Sequence, residues 1–228
     1  GQWLRGRIYE RRADLSPDGK YLIYFAMNGR WSSATKGSWT AISRAPYLKA
    51  IVLLGKGDCW HGGGLFTERR KYWLNDGYGH VALRTSSEVQ RDPAYRPSAY
   101  YGGECPNVYY SRLQRDGWLL LDALSNRGCT IFEKLLPYNW VLRKYAHEQT
   151  GAPPGKGCYW DEHELELASS GQRIDGAKWE WADLDSRRVV YAEGGSLFAR
   201  SITNKGIAEP KLLADFSDWK FEPLAAPY

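Results

Sequence analysis

The sequence predicts an all-β protein made of repeated antiparallel sheets. Two observations lead there. Aromatic and turn-forming residues are abundant, with 11 Trp and 16 Tyr against a single Met, and 24 Gly with 11 Pro among 228 residues. Such residues favour strands and tight turns over long amphipathic helices. In addition, one strand–turn–strand pattern recurs along the chain in degraded form. The background composition is ordinary, 43% hydrophobic and 25% charged, which argues against disorder, collagen and coiled coil. No apolar run approaches the roughly 18 residues of a membrane-spanning helix.

The clearest copy of the pattern runs from Arg12 to Phe25. A short strand meets Ser16-Pro17-Asp18-Gly19, where Pro17 presets the turn and Gly19 supplies a positive φ. The strand that follows, Tyr21 to Phe25, is apolar at every position and is expected to be covered on both faces. Further strands are expected at Ser38 to Arg44 and Ala50 to Leu54. A weaker copy at Leu65 to Leu74 lacks the Asp-Gly. The stretch Ser86 to Asn107 is polar and carries three prolines, so it reads as an irregular inserted loop. Tyr110 to Leu121 superimposes on the first copy, with Leu113 on Leu15 and Asp116-Gly117 on Asp18-Gly19. Asn139 to Gln149 is read as strand rather than helix, Thr150 to Gly157 as a loop, and Tyr159 to Ala168 as a half-buried strand. The last copy, Trp181 to Tyr191, continues through Glu193-Gly194-Gly195 into Ser196 to Arg200, a strong hairpin signal. Pro210 to Leu213 is the final strand candidate.

Repeated antiparallel units of about 40 to 50 residues are the sign of a β-propeller. The expected architecture is therefore a single propeller domain over residues 1–228, with about five blades of antiparallel strands. Trp219 to Glu222 is expected to close onto the first blade. The segment Ser16 to Phe25 resembles the repeat of TolB-like and bacterial WD40-like propellers. The likeness is good at 12–25, fair at 110–122 and 181–198, and covers roughly a third of the chain. It implies a fold and no particular activity, because such folds host lectins, hydrolases and scaffolds alike.

The net charge is +5, with basic residues spread over the whole length. That distribution fits a solvated surface better than a nucleic-acid footprint, so nucleic acid is not an expected partner. Four cysteines, Cys59, Cys105, Cys129 and Cys158, lie far apart without a CxxC pair, which argues against a zinc ribbon or finger. Whether they pair stays open at this point. No leader-like apolar stretch follows the N-terminus, which points towards the cytoplasm, although the chain does not begin with Met.

Two segments hold the residue types of chemistry. Gly55 to Gly64 places Asp58, Cys59, Trp60 and His61 ahead of three glycines. One reading is a ligand or metal loop, with Asp58, Trp60 and His61 as its side chains and the glycines admitting a ligand to the backbone. The other is a crossing between sheets, where Trp60 plugs a gap and the glycines relieve crowding. Asp161 and His163 share one face of a strand, opposite Glu162, Glu164 and Glu166; they could hold a metal or form an ion pair. No nucleophile motif appears, and nothing calls for a cofactor. Asp14 and Asp183 occupy equivalent repeat positions, which argues for a structural role. Most Trp and Tyr are expected to pack between sheets, including at least half of Trp31, Trp39, Trp60, Trp160, Trp179, Trp181 and Trp219.

The function these features suggest is a non-catalytic binding module or scaffold that presents loops to a protein partner. Arg91, Tyr95, Arg96, Tyr100, Tyr101 and Tyr109 are the expected contacts, since aromatic and Arg side chains concentrate in interfaces. A carbohydrate-binding or glycoside-hydrolysing face using exposed Trp and carboxylates is the alternative. A metal-assisted hydrolase built on Asp58 and His61 is the weaker one.

Overall fold

A computed structural model describes residues 2–102, 104–122, 128–148 and 157–228. Backbone contacts divide the chain into two compact units: Gly1–Arg115 with Phe221–Tyr228, and Asp116–Lys220. The described residues form an all-β structure with antiparallel sheets and one α-helix, and none of its sheets closes on itself.

In the first unit, β1 (Arg7–Leu15), β2 (Tyr21–Met27), β3 (Ser38–Arg44) and β4 (Ala50–Gly55) form an antiparallel meander. A second, short sheet is built from β5 (Gly64–Phe66), β6 (Lys71–Leu74) and β8 (Gln90–Arg91). Strand β7 (Val81–Arg84) returns to pair with β4. The expected turn between β1 and β2 is present. The Ser16 hydroxyl accepts the Lys20 and Tyr21 amides at 3.1 and 3.0 Å, and Gly19 takes φ +69°. Strand β2 is covered on both faces, as its unbroken apolar run requires. Ile23 packs with Ile42, Leu54, Phe66 and Leu74 on one side, and Tyr24 with Trp39 and Ala41 on the other.

The first half of the stretch aligned as a strand copy at Tyr110 to Leu121 is helical: α1 spans Cys105–Arg115. Pro106 suits a first helical turn, where its missing N–H costs nothing. Tyr109 and Leu113 lie four apart on one face, and with Val108 they are buried. Asp116-Gly117 therefore follows the helix instead of joining two strands. Gly117, at φ +87°, occupies the left-handed conformation common just past a helix end. The stretch read as an irregular loop, Ser86 to Asn107, contains β8 and the first turn of α1.

The second unit opens with β9 (Leu119–Asp122), β10 (Cys129–Leu135), β11 (Trp140–Glu148), β12 (Tyr159–Leu167) and β13 (Gln172–Gly176), an antiparallel meander in chain order. Residues 140–148 are strand, as expected; most of the expected loop at 150–157 lies outside the described residues. A second sheet contains β14 (Trp181–Asp185), β15 (Arg188–Glu193), β16 (Ser196–Thr203), β17 (Gly206–Ile207) and β18 (Lys211–Asp215). Between β15 and β16 the Gly194-Gly195 turn pairs Glu193 with Ser196. Both glycines have positive φ, as a two-residue type I′ turn demands.

Aromatic packing follows the repeat positions: Tyr21, Tyr72, Trp118 and Val189 are all buried. The expectation fails for the seven tryptophans placed near turns. Trp39 and Trp179 are buried, but Trp31, Trp60, Trp181 and Trp219 are exposed. Asp14 and Asp183 are structural ties. Asp14 accepts the Phe66 amide at 2.7 Å and both terminal nitrogens of Arg115. Asp183 meets Lys134 at 2.5 Å and the Leu184 amide at 2.7 Å.

Candidate functional site

The most developed recess lies in the first unit. It is an open cleft of about 840 Å³ lined by His61, by Trp73 and Leu74 of β6 with Asn75 to Gly77 beyond it, by Arg91 to Tyr100 apart from Ala94 and Tyr95, and by Asn107 of α1. A contiguous hollow, sharing His61, Asp76, Gly77 and Tyr100, extends to Tyr78 and His80.

His61 reaches the cleft from the glycine-rich crossing that joins β4 to β5. Arg12, buried beneath it, fixes its path. Its Nη1 donates to the Cys59 carbonyl at 2.7 Å and the His61 carbonyl at 2.5 Å, while its plane rests on the Phe25 ring. The glycines admit the molecule's own core and not a ligand. A Cβ on Gly63 would stand 2.0 Å from the Arg12 carbonyl oxygen, and one on Gly62 would stand 2.4 Å from the Phe25 ring. The crowding half of the second reading thus holds. Trp60 does not plug a gap, however, since it is 60% exposed. Asp58 pairs with Lys56 at 2.8 Å and caps the Trp60 amide at 2.9 Å.

The floor carries a hydrogen-bonded chain that runs into the core. His80 Nδ1 lies 2.9 Å from Asp76 Oδ1, and His80 Nε2 lies 3.0 Å from the Thr40 hydroxyl. Thr40 Oγ1 in turn accepts the Gly63 amide at 2.8 Å. Burial would raise the Asp76 pKa, but the hydrogen bonds from His80 and Arg91 outweigh it and hold the group below its usual value. Burial lowers the His80 pKa against the pull of Asp76. An ionised Asp76 accepts from Nδ1–H, so the neutral imidazole accepts the Thr40 proton at Nε2. The order hydroxyl–imidazole–carboxylate is that of a nucleophile relay. Thr40 is fully buried and already engaged by Gly63, so no substrate carbonyl can reach it. Here the relay is a brace.

His61 faces the cleft with its ring laid against Gly77, where a Cβ would fall 2.0 Å from ring atoms. Burial, followed by the charges of Lys56 and Arg12, pushes its pKa down, leaving it neutral near pH 7. On the opposite wall Arg91 Nη2 donates to Asp76 Oδ2 at 2.8 Å, and Arg96 Nη1 donates to the carbonyls of Pro93 and Tyr95. Tyr78 and Tyr100 stand out at the mouth, 91% and 72% exposed.

The two groups of expected site residues thus meet: His61 from one, Arg91, Arg96 and Tyr100 from the other. The remaining ones sit outside the lining. Tyr95 packs on Trp73. Tyr101 donates its hydroxyl to Gln114. Tyr109 is buried under the guanidinium groups of Arg11 and Arg112. Residue reading passed over Asp76, Asn75 and Asn107. The run Asn75-Asp76-Gly77-Tyr78-Gly79-His80, polar and glycine-broken directly after a strand, was the available signal.

The second unit answers the Asp161–His163 question. Both side chains point inward with Lys144 between them, at 3.2 Å from Asp161 and 2.8 Å from His163 Nε2, and Lys144 lies over the Trp118 ring. His163 Nδ1 bonds the Trp179 carbonyl. Burial, then Lys144, drives the His163 pKa down to about 3. Arg143 gathers Glu133, Glu164 and Glu166 on the other face. Among the described residues no group of three or more His, Cys, Asp or Glu side chains is placed to hold a metal ion.

No protein-family model matches the chain, and no curated protein matches it.

Proposed function

We propose that this chain is a non-catalytic binding module that seats a segment of a protein partner in the cleft between the 60–64 crossing and the 91–100 segment. The carrying observation is the convergence of His61, Arg91, Arg96 and Tyr100 on one recess. Exposed Tyr and Arg around a concave centre are the residues on which interfaces commonly depend. Asp76 and His80 reach the recess, but the Thr40 hydroxyl that would be their nucleophile is buried, which favours binding over hydrolysis. Carbohydrate is the second reading, favoured by Tyr78 and Tyr100 flanking the same hollow, since sugars stack on exposed aromatic rings.

The same reading takes the antiparallel meanders as propeller blades of the TolB-like kind. Its support is their chain-order strand arrangement in both units.

Removing 98–105 would disturb more than a loop, because Cys105 begins α1 and bonds Arg12. Point variants are the cleaner test. A protein partner captured by the wild-type chain should be lost with Tyr100→Ala and retained with Trp219→Ala, which alters an exposed aromatic of the other unit. Equal capture by Tyr100→Ala would sink the reading. Binding to a glycan array, abolished by Tyr78→Ala, would favour the second.

A further inference from the structure

We infer that the cleft selects a carboxylate, carried by an acidic peptide segment, and that Arg96 with Arg91 supplies the donors. This rests on the reading of the cleft as a partner site.

The argument is an inventory of hydrogen-bonding capacity. Two carboxylates line the recess, and both are satisfied from within. Asp76 accepts His80 on one oxygen and Arg91 on the other. Asp92 accepts the Ala94 and Tyr95 amides on Oδ1 and the Thr67 hydroxyl on Oδ2. These oxygens have little left to offer a donor ligand. The guanidinium groups are different. Each has five N–H donors. Arg91 spends one on Asp76, and Arg96 spends Nη1 on two carbonyls. Both side chains are exposed and line the cleft. What the cleft holds in surplus is planar, charged donors, the complement of a carboxylate.

The mouth, with Tyr78 and Tyr100 exposed, suits a chain with bulk on either side of the acid.

The test is isothermal titration of the full chain with four probes: a blocked tetraglutamate peptide, its tetraglutamine counterpart, tetragalacturonate and inorganic phosphate. The glutamate peptide should bind at least about tenfold tighter than the glutamine peptide, the scale of one charge-assisted bond. Arg96→Gln should remove that preference, Arg96→Lys should restore part of it, and Lys205→Gln, an equal charge change in the other unit, should leave it intact. Equal binding of the two peptides, still sensitive to Tyr100→Ala, would overturn the carboxylate and leave the cleft reading standing. Phosphate binding as tightly as the peptide would overturn carboxylate selection, and tighter binding of galacturonate would overturn the peptide as source. Binding by no probe would overturn the carboxylate, leaving the cleft reading to the capture experiment, and binding indifferent to Tyr100→Ala would overturn both.

Discussion

Arg12 is the residue on which the site's shape depends most. Its guanidinium is buried, with two carbonyls of the crossing, the Cys105 thiol and two aromatic rings around it. Truncation leaves those carbonyls without their donor and opens a void. Arg12→Ala should therefore cost about 2–4 kcal/mol in urea denaturation and weaken partner binding beyond that loss. His163 gives a second expectation at this scale. Its folded pKa lies near 3, whereas the unfolded side chain titrates near about 6.5. Between those values the unfolded chain takes up a proton that the folded chain refuses. The contribution is full above about pH 6.5 and drains away as pH falls. His163→Gln should flatten the loss of stability between about pH 7 and 5, by at most about 1.4 kcal/mol per unit.

Individual strands were legible in the sequence wherever local chemistry and burial agreed. Ser38–Arg44 and the Glu193–Ser196 turn matched because alternation, glycine placement and register all favoured one answer. α1 was not legible, because Leu113 and Asp116-Gly117 fit a hairpin as well as a helix followed by a left-handed glycine. Only packing of Val108, Tyr109 and Leu113 decides between them. The site divided the same way. Its loops stood out by composition, but the partnership of Asp76 with His80 depends on where β6 ends. At this scale Asp14 is the informative position, since it ties β1 to β5 and to the end of α1. Asp14→Asn should cost about 1–3 kcal/mol, and α1 amides should exchange hydrogen faster than those of β11.

On the scale of the whole chain, the C-terminal residues belong with the N-terminal unit. Contrary to expectation, no strand at Trp219 to Glu222 closes onto the first sheet; the ties to it come from Leu224 and Tyr228. The Tyr228 hydroxyl donates to the Lys49 carbonyl at 2.8 Å and accepts the Arg44 amide at 3.0 Å, and the Leu224 carbonyl accepts from Gln2. Removing 221–228 should lower the thermal midpoint of the first unit while the second keeps its own. The central claim, that a partner seats between the 60–64 crossing and the 91–100 segment, is tested most directly by hydrogen exchange with and without bound partner. Protection should concentrate at 60–64, 74–78 and 91–100. Protection confined to 196–215, with those three segments unchanged, would contradict it.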